Sequence, residues 1–236
     1  MDLFEKKRGI IPACDVGSLQ QLRKIVLSTS DLEFVAGYKI GMIPVISHGI
    51  TKIAQTIRKE SNLPIIYDHE KYGTAIPDIS KEVPRILKKS GVNALIIFPQ
   101  AGPDTLRASV KSCLAHGLVP IVGGEMTHNS YLHSGGGYLA DDSPTRIYTE
   151  AVKLGVTHFV VPGTRPERIM RYSKNIGKRV SDPRFFFPGV GKGQGGNIKK
   201  AFQASGSTKA YAIVGRGIYA EKNMRRATVE LWKAST

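Results

Sequence analysis

The chain has 236 residues, of which 41% are hydrophobic and 22% are charged. This composition excludes a disordered chain, and no apolar run approaches the roughly 18 residues that a membrane span needs. Lysine and arginine outnumber aspartate and glutamate by 34 to 19, which gives a net charge of +15. Such a charge attracts anions, but the basic pairs Lys88–Lys89, Lys199–Lys200 and Arg225–Arg226 lie far apart. The sequence therefore does not favour a nucleic-acid partner.

The cysteines and the N-terminus both bear on the compartment. Cys14 and Cys113 are too few for a disulfide framework and lie among apolar residues, so we expect reduced thiols. Residues 1–8 are charged and lack the apolar segment of a secretory signal. These features predict a cytoplasmic protein that does not bind membranes.

Short β-branched or apolar runs alternate with helix-like stretches along the whole chain. Pro103 and Ser143 open predicted helices, whereas Gly91, Gly117 and Gly155 follow the ends of three others. The eight predicted strands are Gly9–Cys14, Ala36–Ile40, Leu63–Tyr67, Ala94–Phe98, Val119–Val122, His158–Val161, Phe185–Phe187 and Tyr211–Val214.

Repeated βα units imply parallel strands with right-handed crossovers. In the fourth helical stretch, Leu106, Val110, Cys113 and Leu114 are spaced to form one buried face. Eight units in a chain of this length predict an α/β fold, a (β/α)₈ TIM barrel, with residues 1–236 as one domain. An open doubly wound sheet is the alternative. In a barrel, functional residues belong at the C-terminal ends of the strands.

Charged side chains mark the ends of the second and third predicted strands. Lys39, Asp68 and Lys71 could form a preorganised Lys–Asp–Lys array, because a poorly solvated lysine needs a nearby carboxylate. Such an array suits a reaction that develops negative charge. The alternative is an ion pair that only braces the mouth of the barrel.

The last two strands end in a pattern typical of phosphate binding. Residues 188–196 are rich in glycine, so backbone amides can approach an anion closely. Arg216 follows the neighbouring strand and could donate two hydrogen bonds to phosphate oxygens. The alternative is a glycine-rich turn beside a surface arginine.

These segments together resemble the orotidine 5′-phosphate decarboxylase family over nearly the whole chain. The family implies a cofactor-free decarboxylation of orotidine 5′-monophosphate to UMP, without metal, in a homodimer whose active site lies at the interface. The segments that carry the resemblance are Ala13–Asp15, Tyr38–Gly41, Asp68–Pro77, Glu125–His128, Gly163–Arg168, Pro188–Gly196 and Val214–Tyr219.

The resemblance also implies roles for single residues. Asp15 would bind ribose hydroxyls, and Lys39 would lie near the ribose as the first lysine of the array. Asp68 would lie beside the substrate carboxylate, Lys71 would protonate C6, and Thr127 would bond the pyrimidine ring. Further substrate contacts would come from Gly189, Gly191, Gln194, Gly195, Gly196 and Arg216, of which Gln194 and Arg216 would bind the phosphate.

Three departures from the family pattern stand out. Asp68 and Lys71 are separated by two residues rather than one, which in a regular strand places them on opposite faces. Ala75 stands where the family has a second aspartate, so Asp78 or Glu70 would have to replace that charge, and otherwise we expect reduced activity. Lys192–Gly193 lengthens the phosphate loop by one residue.

Two other functions remain open from the sequence. Sugar-phosphate decarboxylases and aldolases of the same superfamily use magnesium, but they typically have glutamate where this chain has Lys39, and they lack the Gln194 loop. A non-catalytic nucleotide-binding barrel would explain Ala75.

Overall fold

The protein is described by a computed structural model that covers residues 3–69, 73–191 and 195–235. Helices lie between successive parallel strands. The strands are β1 (Arg8–Pro12), β2 (Tyr38–Ile40), β3 (Ile65–Asp68), β4 (Ala94–Ile97), β5 (Val119–Gly123), β6 (His158–Val160), β7 (Arg184–Phe187) and β8 (Lys209–Val214). The helices are α1 (Leu19–Thr29), α2 (Met42–His48), α3 (Ile50–Arg58), α4 (Pro77–Lys89), α5 (Pro103–Ala115), α6 (Ser143–Lys153), α7 (Pro166–Gly177), α8 (Ile198–Ala204), α9 (Arg216–Tyr219) and α10 (Met224–Lys233).

The sheet closes on itself. Its strands lie in the order β1-β8-β7-β6-β5-β4-β3-β2, and β1 meets the β2 side through parallel bridges from Ile10 to Val35 and from Ala13 to Lys39. The predicted (β/α)₈ barrel is therefore confirmed, and the open doubly wound sheet is wrong. Within the three described ranges, no helix is both long and apolar enough to cross a membrane.

The predicted elements match the observed ones closely. All eight strands are present, and no end differs from its prediction by more than two residues. Helices α5 and α6 begin at Pro103 and Ser143 as expected. Gly91, Gly117 and Gly155 have φ angles of 91°, 67° and 81°, so each ends its helix in a conformation that side chains disfavour.

One residue of the predicted helix face was placed wrongly. Leu106, Val110 and Cys113 are buried, but Leu114 is 53% exposed. The buried stripe of α5 turns instead toward Ser109 and Ser112, because α5 packs closely against α4 on that side.

Strand alternation decides which side chains enter the barrel. Ile66 on β3 points into the interior cluster, and Asp68 lies two residues further along the same strand, on the same face. On β2, Tyr38 and Ile40 belong to the outer core, so Lys39 between them points inward.

The opposite end of the barrel is closed. The ring of Phe4 packs against Phe186 at a centroid distance of 5.1 Å and against Tyr211 at 5.5 Å. Arg184 donates a 3.0 Å hydrogen bond from Nε to the Phe4 carbonyl. This plug leaves the C-terminal ends of the strands as the accessible end.

Candidate active site

A lysine lies between two carboxylates inside the mouth of the barrel, in what we call the Lys39 cluster (Asp15, Lys39 and Asp68). Lys39 Nζ is 3.0 Å from Asp68 Oδ2 and 3.2 Å from Asp15 Oδ2. The Lys39 side chain is 12% exposed. Burial lowers its pKa, but the Asp68 and Asp15 charges outweigh this effect and hold the pKa above its usual value. The ammonium therefore stays charged although it is buried.

The closure between β1 and β2 brings Asp15 to Lys39. The Cys14 amide donates a 2.7 Å hydrogen bond to the Lys39 carbonyl, which fixes the two chain segments side by side. Gly41 completes this contact, because a Cβ there would come within 2.3 Å of Asp15 Oδ1. Cys14 itself is buried, and burial raises the pKa of its thiol, so we assign it no chemistry.

A cavity of about 200 Å³ opens beside Asp68. Asp68 Oδ1 is buried there, and it has no hydrogen-bond partner among the residues that the structure describes. A buried carboxylate oxygen without a partner is costly, so it marks a place where a ligand group or another side chain can bind. The walls are mostly apolar, with Thr127 and His128 as polar members; the others are Ile96, Phe98, Met126, Val160, Pro188 and Ile213.

A second buried charge follows β5, in what we call the Glu125 cluster (Glu125, Arg165, Arg168 and Tyr172). Glu125 is fully buried. Its Oε1 is 2.7 Å from Arg165 Nη1 and 3.7 Å from Arg168 Nε, and its Oε2 accepts a hydrogen bond from the Tyr172 hydroxyl. Burial and this contact raise the pKa of Tyr172 to about 12, so the hydroxyl keeps its proton. The cluster anchors the chain immediately before Met126 and Thr127.

Backbone hydrogen bonds join the two ends of the glycine-rich segment that follows β7. The Gly196 amide donates to the Gly189 carbonyl, and the Gly191 amide donates to the Gly196 carbonyl, both at 3.0 Å. Gly189 has a φ of 78°, and a Cβ there would lie 2.8 Å from the Thr127 methyl group. This segment therefore packs directly against a residue that lines the cavity. Gly191 and Gly195 also have positive φ angles, of 101° and 83°.

Arg216 begins α9, directly after β8, and is exposed. Because β7 and β8 are paired neighbours, Arg216 and the glycine-rich segment lie at adjacent strand ends. Arg216 and the described glycines therefore lie on one side of the mouth, and their binding of phosphate stays a prediction.

Two predicted site residues, Lys71 and Gln194, lie outside the described residues, as do Glu70 and the inserted Lys192–Gly193. Their roles stay predictions. Asp68 is the last residue of β3, so no regular strand dictates the orientation of Lys71.

The structure does describe Ala75, which stands where the family has its second aspartate, and Asp78, which could have replaced that charge. The Ala75 carbonyl accepts a 2.8 Å hydrogen bond from Thr105 Oγ1, just before α4 begins. Asp78 is 80% exposed and forms a 2.8 Å ion pair with Lys81. Within one chain, Asp78 therefore belongs to the outer surface of α4 and does not replace the charge in the Lys39 cluster.

Comparison with known protein families shows to which family the chain belongs. The model of the Orotidine 5′-phosphate decarboxylase / HUMPS family matches residues 9–231. The chain belongs to this family. The match includes the Lys39 cluster, the Glu125 cluster and Arg216.

Individual decarboxylases of the family agree over nearly the full chain. The orotidine 5′-phosphate decarboxylase of Methanosarcina mazei is 29% identical over 228 residues, covering 97% of this chain and 95% of that protein. The Pyrococcus abyssi enzyme is 30% identical, with 94% and 97% covered. The crystal structure of orotidine 5′-monophosphate decarboxylase from Methanocaldococcus jannaschii, complexed with the inhibitor BMP, superposes with a TM-score of 0.84 at 26% identity, covering 97% of this chain and 99% of that one.

Sequence reasoning missed the apolar wall of the cavity and the role of Glu125. Phe98 directly follows β4 and Pro188 directly follows β7, so their places at strand ends were a usable signal. The partners of Glu125 are 40 to 47 residues away in the chain, and no local pattern connects them.

Proposed function

We infer that this protein decarboxylates orotidine 5′-monophosphate to UMP, a step of pyrimidine biosynthesis. The observation that carries this inference is the Lys39 cluster, in which a buried lysine lies between two carboxylates and one of these, Asp68, lines a cavity, in a chain of this family. A glycine-rich segment and Arg216 border the same mouth. The three features together suit a ligand with a ring at one end and a phosphate at the other.

The proposed chemistry breaks the bond between C6 and the carboxylate. Carbon dioxide leaves without the electron pair, which stays on C6 and takes a proton from the Lys71 ammonium. Asp68 lies beside the departing carboxylate, and Lys39 holds Asp68 in place by the 3.0 Å ion pair. Fixed charges in a poorly solvated site can stabilise the developing carbanion because they need no reorganisation during the reaction. We expect turnover without metal or organic cofactor.

The rest of the nucleotide would span the mouth. We propose that Asp15 binds ribose hydroxyls and that Thr127 bonds the pyrimidine ring in the cavity. The phosphate would be held by Gln194, Arg216 and amides of the glycine-rich segment (Gly189, Gly191, Gly195 and Gly196). Contacts far from C6 contribute binding energy that positions the reacting groups.

We further propose a homodimer with the active site at its interface. Large apolar side chains are exposed on α2 and at the start of α4, which follow the neighbouring strands β2 and β3: Ile43 is 57% exposed, Ile46 75%, Ile76 63% and Ile79 55%. Several large exposed apolar side chains on neighbouring βα units are typical of a protein–protein interface. A cytoplasmic location is part of the same proposal, since the substrate is a metabolite.

The decisive experiment follows the absorbance change of orotidine 5′-monophosphate with and without EDTA. Turnover that EDTA does not reduce supports the proposal. Turnover of a sugar phosphate that EDTA abolishes would assign the chain to the magnesium-dependent branch of the superfamily.

A non-catalytic nucleotide-binding barrel is the second candidate, and Ala75 favours it. It predicts UMP binding in calorimetry with no turnover in the absorbance assay. Absence of both UMP binding and turnover would contradict each proposal.

A further inference from the structure

The excess positive charge is concentrated in one part of the chain. Residues 161–210 contain eleven Lys and Arg but two acidic residues, so nine of the fifteen excess charges lie there. The basic pairs considered in the sequence analysis do lie on separate helices, but three further basic residues, Arg171, Lys174 and Lys178, lie on α7 or at its C-cap.

The second half of α7 exposes basic side chains. Arg171 and Lys174 are exposed on the helix, and Lys178 is exposed at its C-cap, with the spacing that places all three on one face. The opposite face contains Ile169 and Ile176, which are buried in the outer core. No carboxylate of the described residues is within ion-pair distance of Lys174, Lys178 or Arg179.

A groove of about 280 Å³, lined by both polar and apolar side chains, runs between α7 and α6 beside this face. Thr145 and Thr149 line it from α6, and Asn175, Lys178 and Arg179 line it from the α7 side. No aspartate or glutamate lines the groove in the part of the chain that the structure describes. Hydroxyl, amide and cationic groups together are the donors that proteins use to contact phosphate oxygens.

This face is separate from the active site. Helix α7 begins at the mouth, where Arg165 contacts Glu125, and its twelve residues carry the chain about 18 Å toward the closed end. Lys174, Lys178 and Arg179 therefore lie in the second half of the helix and beyond it. The active-site chemistry does not account for their charge.

We propose that the α6–α7 face, formed by Lys174, Lys178, Arg179 and the groove residues Thr145, Thr149 and Asn175, binds the phosphodiester backbone of a nucleic-acid duplex. The groove provides neutral donors beside the cations, which suits phosphates that occur at regular intervals. Contacts of this kind position a duplex without reading its sequence, so we expect sequence-independent binding.

Two other polyanions fit this face less well. Single strands are typically bound by stacking their bases on aromatic side chains, but Tyr148 and Tyr172 in the groove are buried. Stable binding of a helix to a membrane surface typically adds apolar side chains that insert between lipids to the attraction of its charges. Within α7, all of which the structure describes, Met170 is the one large apolar side chain that is exposed.

The test measures fluorescence anisotropy of a labelled 20-base-pair DNA duplex of mixed sequence with the full chain, between 50 and 200 mM NaCl. We expect a dissociation constant of about 1–100 µM near physiological salt. The face variant is Lys174→Gln/Lys178→Gln/Arg179→Gln. The control variant, Lys52→Gln/Lys59→Gln/Lys89→Gln, removes the same charge from exposed lysines on α3 and α4 and at the α3 C-cap.

Each neutralised phosphate contact contributes about 0.9 to the slope of log K against log salt. We therefore expect the face variant to lose about two to three units of slope, whereas the control variant should lose less than one. A charge-retaining variant, Lys174→Arg/Lys178→Arg, should bind like the parent. If the face variant is unstable, the single variants Lys174→Gln and Lys178→Gln test the proposal instead, and each should lose about 0.9 units of slope.

Several results would overturn it. They are equal weakening in the face and control variants, tighter binding of a single-stranded 20-mer than of the duplex, and binding to vesicles with 30 mol% phosphatidylserine but not to the duplex. UMP binding should be unchanged in the face variant, so failure of this proposal is distinguishable from failure of the proposed enzyme function.

Discussion

Two buried charge clusters follow different strands of the barrel, and they differ in how fully their carboxylate oxygens are used. In the Glu125 cluster, both carboxylate oxygens have partners within the chain, Arg165 for one and Tyr172 for the other. In the Lys39 cluster, Asp68 uses Oδ2 for the lysine, while its buried Oδ1 has no hydrogen-bond partner among the described residues.

The difference separates a charge that supports the fold from a charge that serves a ligand. When a fully paired buried carboxylate loses a partner, the folded protein becomes less stable. Such a carboxylate has no free oxygen with which to bind a substrate. A buried oxygen with spare capacity, beside a cavity, is costly for the fold and useful for binding. We therefore expect substitutions in the Lys39 cluster to change activity, and substitutions in the Glu125 cluster to change stability.

The largest expected effect is that of Lys71→Ala, which tests the functional side of the comparison. Removing the proposed proton donor should lower kcat about 10⁴-fold or more, because both general-acid catalysis and charge stabilisation are lost. The unfolding midpoint and UMP affinity should change little. The absorbance assay and thermal unfolding measure the two quantities on the same sample. If the variant unfolds instead, Lys71 is a structural ion-pair residue. The charges around Asp68 would then stabilise the fold, as those of the Glu125 cluster do.

Glu125→Gln tests the structural side. The substitution leaves Arg165 and Arg168 without their buried counter-charge, so we expect a loss of about 3–5 kcal/mol in the free energy of unfolding. Urea denaturation measures this loss. The control is Glu230→Gln, which breaks the exposed ion pair with Arg226 and should leave the midpoint almost unchanged. A loss at Glu125 no larger than in this control would show that the Glu125 cluster does not stabilise the fold.

The fold could be predicted from the sequence because its signals are local. Each βα unit repeats an apolar run followed by a helix-like stretch, and parallel pairing follows from that alternation. Leu114 shows where local periodicity fails. Its spacing fits a buried face, but the packing of α5 against α4 turns the stripe toward serines, and no pattern within one helix specifies that neighbour.

The site could be predicted only in part, for a related reason. Lys39 and Asp68 are visible in the sequence because charged residues at the ends of apolar runs are unusual. The pairing of Lys39 with Asp15 depends on the closure of the barrel between β1 and β2, which joins residues 24 apart. The Glu125 cluster depends on contacts between β5, α7 and its N-cap, and the sequence contains no sign of which partner the carboxylate meets.

Arg216→Ala tests whether a charge at the mouth of the barrel binds the phosphate of the ligand or only supports the fold. Losing a charged hydrogen bond should weaken UMP binding by about 1.5–3 kcal/mol, and isothermal calorimetry measures this change. Uridine, which lacks the phosphate, is the matched control, and its affinity should stay the same. Equal weakening of uridine and UMP would mean that Arg216 supports the loop rather than binds phosphate. Unchanged UMP affinity would contradict the phosphate assignment.

The smallest expected effect concerns Ala75, where the family has a second aspartate that reaches the partner's site in the dimer. Asp78 is engaged with Lys81 on the surface, and Asp15 already bonds Lys39. Lys71 would then depend on Asp68 for its counter-charge. An ammonium with too little counter-charge in a poorly solvated site loses both orientation and charge. Ala75→Asp should therefore raise kcat at least about tenfold, a gain of 1.36 kcal/mol per decade.

Ala75→Asn separates charge from shape, because it adds a side chain of similar size without the carboxylate. If charge balance limits the reaction, Asn at this position should leave kcat near the value of the parent chain. An equal gain from Asn and Asp would mean that packing against the partner chain, rather than charge, is what this position lacks. If neither substitution changes kcat, the longer spacing between Asp68 and Lys71 has already changed how positive and negative charges balance in the Lys–Asp–Lys array. Asp68 Oδ1 would then accept a hydrogen bond from the Lys71 ammonium, and this ion pair would need no second aspartate.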